Sequence, residues 1–422
     1  MLVEFRIRNF RSLRDEQVFS LVASNDKVQL ETHALQTRLN ALPYVLKTAV
    51  IYGANASGKS NLIKALQFMR GVVVESASLA PGQTFARLQA FKLDSTTAVQ
   101  PTEFELTFLL DGVRHEYSFS MSAERILFER LLVYKAFKPQ RWFERSFDAR
   151  AGEERYHFGP GLKGSKHLWE RATRPNALFL STAVQLNSES LRPVFDWIAN
   201  HLVIFNEYSL LSPQFSVGML KQEGGREAIR KFLRAADIGI SDVEVSTRQA
   251  IVRSVKLDLA TGKREDSTSE QPVDEVRFRH VTDQGDAIFD LGDESSGTRN
   301  LLALAGPILD ILSKGLTLVI DELDTSLHPL LVQGLVRAFH SPEFNPGGAQ
   351  LIFTTHDTSL LDAYGLFRRD QIWFVEKRTD QSSVLYPLLD FSPRRKEALE
   401  RGYLQGRYGA LPLLHLESAT QS

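Results

Sequence analysis

The chain has 422 residues, with 50 Lys and Arg against 51 Asp and Glu and a formal net charge of −1; so even a balance gives no global argument for nucleic acid as a partner and leaves only a local basic face open. Cysteine is absent, which excludes disulfides, zinc–thiolate centres and cysteine nucleophiles and suits the cytoplasm. An apolar share of 43% can bury a real core, the length suggests about two to three domain-sized units, and no run of about 18 apolar residues is present to span a membrane.

In chain order, Leu2 to Arg8 alternates Val3, Phe5 and Ile7 with Glu4, Arg6 and Arg8, the pattern of a half-buried strand. The charges in that opening stretch also exclude a signal peptide. Residues 13–46 are mixed and carry no assignable pattern. Thr48 to Tyr52 is a short apolar run that reads as a buried strand, and Asn61 to Met69 places Leu62, Ile63, Leu66 and Met69 at helical spacing. Residues 76–101 read as loop. Phe104, Leu106, Phe108 and Leu110 then alternate with polar residues up to Asp111-Gly112, a hairpin signal, and Val113, His115, Tyr117 and Phe119 form the return strand. Ile126 to Tyr134 and Trp142 to Phe147 read as further strands.

From about residue 160 the character changes, and Ala177 to Leu180, Leu191 to Ile204 and Arg226 to Ala236 read as helices. No heptad pattern persists, so no long coiled coil is expected. Residues 261–275 form a polar excursion between two strand-like runs, Ile251 to Leu259 and Asp274 to His280. Beyond residue 286, Leu316 to Ile320, Leu351 to Thr355 and Ile372 to Val375 are continuous apolar runs typical of central parallel strands. The two ends of the chain are therefore expected to share one α/β sheet.

Four stretches carry chemistry. Gly53-Ala54-Asn55-Ala56-Ser57-Gly58-Lys59-Ser60 fits G-x-x-x-x-G-K-[ST] and lies between a strand and a helix. The backbone of Gly53, Asn55, Ala56, Ser57 and Gly58, continuing into Lys59, Ser60 and Asn61, would cradle phosphate oxygens at a positively polarised helix start. The Lys59 amine would reach the β- and γ-phosphates, and the Ser60 hydroxyl would bind Mg²⁺. The strand ending at Ile320 runs into Asp321-Glu322, the Walker B pattern, with Asp321 placed for Mg²⁺ and Glu322 for polarising the attacking water; by itself an Asp after a strand is equally a helix cap. His356, in Thr354-Thr355-His356-Asp357 at another strand end, is a candidate γ-phosphate contact. Ser295-Ser296-Gly297-Thr298 opens an apolar-periodic helix and reads as an anion-binding start as well as an ordinary capped one.

These pieces, in this order, resemble the ABC-type ATPase heads of the RecF, SMC and OLD class, and Phe5 to Ser12 is similar to the opening of that class. The closer resemblance is to compact bacterial OLD-related ATPases. It lies in Phe91-Lys92-Leu93-Asp94, Glu294 to Arg299, Ile320 to Pro329, Thr354 to Asp357 and Tyr403-Leu404-Gln405-Gly406-Arg407-Tyr408-Gly409-Ala410. The resemblance implies an α/β fold: an ABC-type P-loop head, mixed sheet plus antiparallel β subdomain, with a helical insertion. The divisions expected are residues 1–160 for the N-terminal part of the head, 161–285 for a mainly helical insertion with a β-hairpin, and 286–422 for the C-terminal part. It also implies ATP and Mg²⁺ as cofactors, and a homodimer in which Ser295, Ser296 and Gly297 of one copy face the nucleotide of the other, with Asp324 at the seam. Gln83 and Gln89 are both candidates for the Q-loop, Gln89 the preferred one. The signature departs from the transporter form, and no C-terminal Toprim nuclease is recognisable. Relatives of this kind are ATPase subunits of anti-phage systems such as PARIS, Septu and abortive-infection pairs, which implies an operon-encoded nuclease or toxin as partner. The alternative is a RecF-like DNA-repair or DNA-maintenance ATPase, for which Lys163, Lys166, Arg171 and Arg174, or Arg226, Arg230, Lys231 and Arg234, are candidate basic clusters.

Overall fold

The structure, a computed structural model, describes residues 1–135, 138–205, 212–235, 239–257, 264–325, 327–393 and 397–411. The chain forms two compact units. One comprises Met1–Glu207, Ile311–Asp324 and Val332–Ser422, and the other Tyr208–Asp310 and Thr325–Leu331. No helix among the described residues is long and apolar enough to cross a membrane.

The first unit begins with β1 (Leu2–Arg8) and β2 (Gln17–Ser20), followed by a hairpin of β3 (Ala34–Leu39) and β4 (Leu42–Leu46). β5 (Thr48–Tyr52) is buried at every position and leads through the glycine loop into the helix Lys59–Glu75. An antiparallel meander follows, β6 (Thr102–Leu110), β7 (Val113–Met121), β8 (Ile126–Tyr134), β9 (Gln140–Asp148) and β10 (Glu153–Phe158). Asp111 and Gly112 both adopt left-handed φ, 51° and 75°, as a two-residue hairpin turn between β6 and β7 requires. The free edge of β6 takes up β1, so seven antiparallel strands lie in the order β10-β9-β8-β7-β6-β1-β2.

β11 (Leu202–Phe205) begins the second sheet of this unit. Helix was expected from Leu191 through Ile204. The helix instead covers Arg192–Asp196, a π turn covers Trp197–His201, and Leu202 to Ile204 belong to a strand, Leu202–Phe205, parallel to Thr317–Ile320. A short apolar run does not distinguish strand from helix by its own pattern, and here the neighbouring strand decides. The chain from Leu162 to Leu202, expected to open the insertion, supplies Trp169, Phe179, Leu191 and Ile198 to the same core as Phe104 and Phe108.

In the second unit, β12 (Ile240–Leu257), β13 (Arg264–Thr282) and β14 (Gly285–Asp290) form an antiparallel sheet. Its core cluster joins Val243, Val276 and Phe278 to Ile229, Leu233, Leu301 and Leu302. The polar excursion expected at 261–275 is corrected from residue 264 onward. Backbone pairing runs from Arg264↔Leu257 to Glu275↔Ser246, because ladder hydrogen bonds need no apolar side chains. Residues 261–263 lie outside the described residues.

β15 (Thr317–Ile320), β16 (Gln350–Thr354), β17 (Ile372–Lys377) and β18 (Ser383–Pro387) return to the first unit and complete a six-stranded sheet. Its order is β11-β15-β16-β5-β17-β18, parallel throughout except for β18. Both ends of the chain thus contribute to one sheet, and the strands bearing Asp321 and His356 lie on the same side of β5. Buried Gln350 joins the two sheets. Its Oε1 accepts from Leu2 N at 2.6 Å and the Thr317 hydroxyl at 3.1 Å, while Nε2 donates to the Leu2 and Leu46 carbonyls at 2.9 and 3.0 Å.

At the opposite end of β5 from the glycine loop, His340 is buried against His33 with ring centroids 3.7 Å apart, and its Nε2 lies 2.9 Å from the Thr48 hydroxyl. The Lys47 ammonium donates to the His340 carbonyl at 3.2 Å. Burial, then the charges of His33 and Lys47, push the His340 imidazole down to about 2, and burial also lowers that of His33. Both groups titrate lower folded than unfolded, so their contribution is intact above an unfolded value of about 6.5 and is lost as pH falls below it. We expect the urea midpoint to drop between about pH 7 and pH 5, each such group costing up to about 1.4 kcal/mol per pH unit. The slope should be shallower in His340→Gln; an equal slope in the two proteins would remove His340 as the source.

Candidate functional site

The glycine loop is fixed from below by two serines distant in sequence. Ser383 Oγ, at the start of β18, donates to the Ser57 carbonyl at 2.5 Å and lies 2.7 Å from Ser12 Oγ, and Asn61 Nδ2 donates to the same Ser12 oxygen at 2.7 Å. A side chain on Gly58, whose φ is 111°, would collide with Ser383 Oγ, and one on Gly53 would collide with the Val375 carbonyl. Asn61 therefore braces the underside of the loop through its amide. Ala56 also takes left-handed φ, 62°. Ser57 is buried, and its hydroxyl has no hydrogen-bond partner.

Lys59 is the first residue of the helix and is 5% exposed. Its ammonium folds back on the loop, donating to the Gly53 and Ala54 carbonyls at 2.6 and 3.1 Å. Burial lowers its pKa, while the carboxylates of Asp321, Glu322 and Asp324 act to raise it. The amine thus lies within the electrostatic reach of the acids that follow β15. A buried ammonium held only by carbonyl dipoles is a strong anion acceptor. Ser60, next in the helix, is half-buried.

The acids are held by the neighbouring strand. Thr354 at the end of β16 is fully buried; its hydroxyl donates to Asp321 Oδ1 and accepts from Glu322 N, both at 2.7 Å. The Thr354 carbonyl accepts from Leu323 N at 3.1 Å, and Asp321 N donates to the Phe205 carbonyl of β11 at 3.0 Å. Glu322 has φ 53°, a conformation that costs a non-glycine residue roughly 1–2 kcal/mol. The tether at its amide offsets that cost and keeps it at the strand's end. Glu322 Oε1 lies 3.6 Å from His356 Nε2, and Asp324 Oδ2 accepts from His356 N at 3.1 Å. Asp324 Oδ1 is buried without a partner. Glu322, His356 and Asp324 are thus brought together, and Asp321 is joined to them through Thr354.

Gln89 and Gln83 separate by their surroundings. The Gln83 amide oxygen is used locally by Ala80 N at 3.0 Å. The Gln89 carbonyl accepts from Arg11 N at 2.7 Å, and Gln89 lines a surface cavity of about 270 Å³ together with Ser12, Phe91 and Lys377. In the second unit, Ser295 Oγ accepts from Thr298 N at 3.1 Å and lies 2.9 Å from Thr298 Oγ1, so its hydroxyl caps the helix Ser296–Lys314. That leaves Ser296 and Gly297 as the residues of the first turn. Arg299 Nη1 donates to the Glu294 carbonyl at 2.9 Å, and Glu294 Oε1 lies 2.7 Å from His280 Nε2.

Thr354 and Ser383 are the two contributors not singled out from sequence. Thr354 lay inside a motif noted for its histidine. Ser383 carries no local signal, because it meets the loop only through the pairing of β17 with β18.

A buried lysine after a glycine loop, two consecutive acids directly after a second strand and a histidine just past the strand between them define a P-loop nucleotide-binding ATPase domain. The sequence model of the family described as AAA domain, putative AbiEii toxin, Type IV TA system, matches residues 49–362, which is most of the chain, and the protein belongs to that family. No curated protein matches it.

Thr354→Val removes the bond to buried Asp321 and the side-chain acceptor of the Glu322 N–H, a loss of about 1–3 kcal/mol of local stabilisation. ATP turnover is expected to fall at least roughly tenfold while urea denaturation remains cooperative. Thr354→Ser, which keeps the hydroxyl, should recover most of the rate; equal losses in both variants would argue that the methyl group, not the hydroxyl, matters.

Proposed function

We propose that the chain is a Mg²⁺-dependent ATP-binding and hydrolysing subunit that dimerises around ATP and serves as the sensor or switch of an associated nuclease or toxin effector in prokaryotic anti-phage defence. One observation carries the catalytic part: the Asp321–Thr354 bond at 2.7 Å and the Glu322–His356 approach at 3.6 Å, formed at neighbouring strand ends within electrostatic reach of buried Lys59.

These residues fit a nucleotide and its ion. Lys59 and the backbone of Gly53 to Asn61 would hold the phosphates, the amine exchanging two carbonyl partners for anionic oxygens. Buried Ser57 Oγ, without a partner, is a further donor beside that backbone. Ser60 and Asp321 would hold Mg²⁺, which when bound neutralises charge on the phosphate oxygens. Glu322 would orient and polarise water, with His356 turned to the terminal phosphate. In the dimer, Ser296 and Gly297 of a second copy would face the triphosphate, with Asp324 at the seam. The effector role draws support from the resemblance to OLD-related defence ATPases and from the toxin–antitoxin wording of the family description. In the basic clusters of the DNA-repair alternative, Lys163 and Lys231 are exposed and other members have partners within the chain. Arg226 and Arg230 pair with Asp242 at 3.5 and 3.1 Å, and Arg174 donates to the Ala77 carbonyl at 2.7 Å.

Lys59→Ala is expected to abolish ATP binding in isothermal titration. Glu322→Gln should bind ATP normally, hydrolyse it at least roughly a hundredfold more slowly, and accumulate as a dimer in ATP by light scattering. Wild-type turnover in Glu322→Gln would exclude that acid, and a monomer at saturating ATP would exclude the composite site. For the effector role, ATP-trapped protein should capture the product of the adjacent reading frame when the two are co-expressed; no capture in either nucleotide state would count against it.

A further inference from the structure

The segment Tyr403 to Ala410 is one that the phosphate site does not use, yet it lies beside that site. The helix Leu399–Leu404 starts on the loop that follows His356. Asp362 Oδ1 accepts from Leu399 N at 2.6 Å and from Glu400 N at 3.2 Å, and Glu400 Oε1 in turn accepts from the Thr358 hydroxyl at 2.7 Å. The bonds run in both directions, so loop and helix form one mechanical piece.

The same helix reaches the P-loop strand. The Tyr403 ring packs against Tyr52, the residue before Gly53, with centroids 5.9 Å apart, and stacks on Phe374 of β17 at 5.4 Å. Tyr52 OH donates to the Asp357 carbonyl at 3.2 Å, closing the circuit back to the histidine loop. Between them lies a cavity of about 220 Å³, walled by Gly53, Asn55, His356, Tyr403, Leu404 and Leu411. The segment is itself braced. Tyr403 OH donates to the Ala410 carbonyl at 3.1 Å, Tyr408 OH to Glu397 at 2.6 Å, and Tyr386 OH of β18 to the Tyr408 carbonyl at 2.8 Å. Gly409, at φ 66°, lets that turn pass Tyr386 and Glu376, where a Cβ would meet their oxygens at 2.7 and 2.8 Å.

We propose that Leu399–Leu411 is a positioning element of the ATPase site, which fixes His356 against the start of the P-loop through the Thr358–Glu400 bond and the Tyr403–Tyr52 contact. The inference rests on the ATPase reading given above. At the phosphate site the element reaches Tyr52, the loop's first residues and the histidine loop. Lys59 and the loop's underside are held separately by Gly53, Ala54, Ser12 and Ser383. It therefore governs turnover and leaves nucleotide affinity largely alone.

Steady-state kinetics on the full chain tests this. Glu400→Ala and Thr358→Val are each expected to lower kcat roughly tenfold with KM within about twofold, and the double variant should be no worse than either single. Glu400→Gln, which retains an acceptor oxygen, and Tyr403→Phe, which retains the ring, should keep most of the rate. Unchanged kcat in Glu400→Ala, additive losses in the double variant, or losses appearing in ATP affinity overturn the proposal. Should the wild type show no turnover, the ATPase reading fails by itself. Hydrogen exchange across 399–411 in Glu322→Gln, with and without ATP, still decides the positioning role: slower exchange with ATP supports it and unchanged exchange overturns it.

Discussion

The arrangement at the strand ends depends on a single hydroxyl. Thr354 Oγ1 donates to Asp321 and accepts from the amide of Glu322, so one buried oxygen fixes both consecutive acids. It does so across a parallel pair, β15 and β16, whose register sets Ile320 opposite Phe353. Slippage by one residue would turn the Thr354 side chain to the other face of the sheet and release both acids at once. The left-handed backbone at Glu322 is held by the same contact, together with the bond from Leu323 N to the Thr354 carbonyl. Sheet register, not local loop structure, is therefore what sets the geometry of the acidic end.

The basic end is fixed by a different route. Lys59 is carried by the first turn of a helix packed through Leu62, Ile63, Leu66 and Met69, so its Cα has little freedom. The loop before it rests on Val375, Ser383 and Ser12. The region after β1, the glycine loop and β18 thus share one polar contact, although they lie far apart in the chain. Opposite charges converge on one edge of the sheet from independent supports, and a displacement of one support need not disturb the other.

Much of the site was legible in the sequence because its chemistry demands contiguous motifs. Gly53 to Ser60, Asp321-Glu322 and Thr354 to Asp357 each combine a strand end with the residue types the reaction class uses, so pattern and chemistry point to the same positions. The meander was legible for a similar reason, since alternation in Phe104 to Leu110 and the Asp111-Gly112 turn are local. What could not be read is non-local. Leu202 to Phe205 is a strand only because Thr317 to Ile320 lies beside it, and the polar half of β13 is a strand only because β12 pairs with it. Ser383 and Gln350 act through partners more than 300 residues away. Ser295 was legible as part of a helix start, but only the hydrogen bonds separate its hydroxyl, used by the cap, from Ser296 and Gly297.

Gln350 also bears on the chemical ageing of the protein. Its amide nitrogen faces two carbonyl oxygens, Leu2 and Leu46, within a site of 1% exposure. Deamidation at this one position would set a carboxylate oxygen against both carbonyls and leave a charge where no water can solvate it. That change would loosen the join between the antiparallel and parallel sheets while leaving the glycine loop and its acids chemically intact.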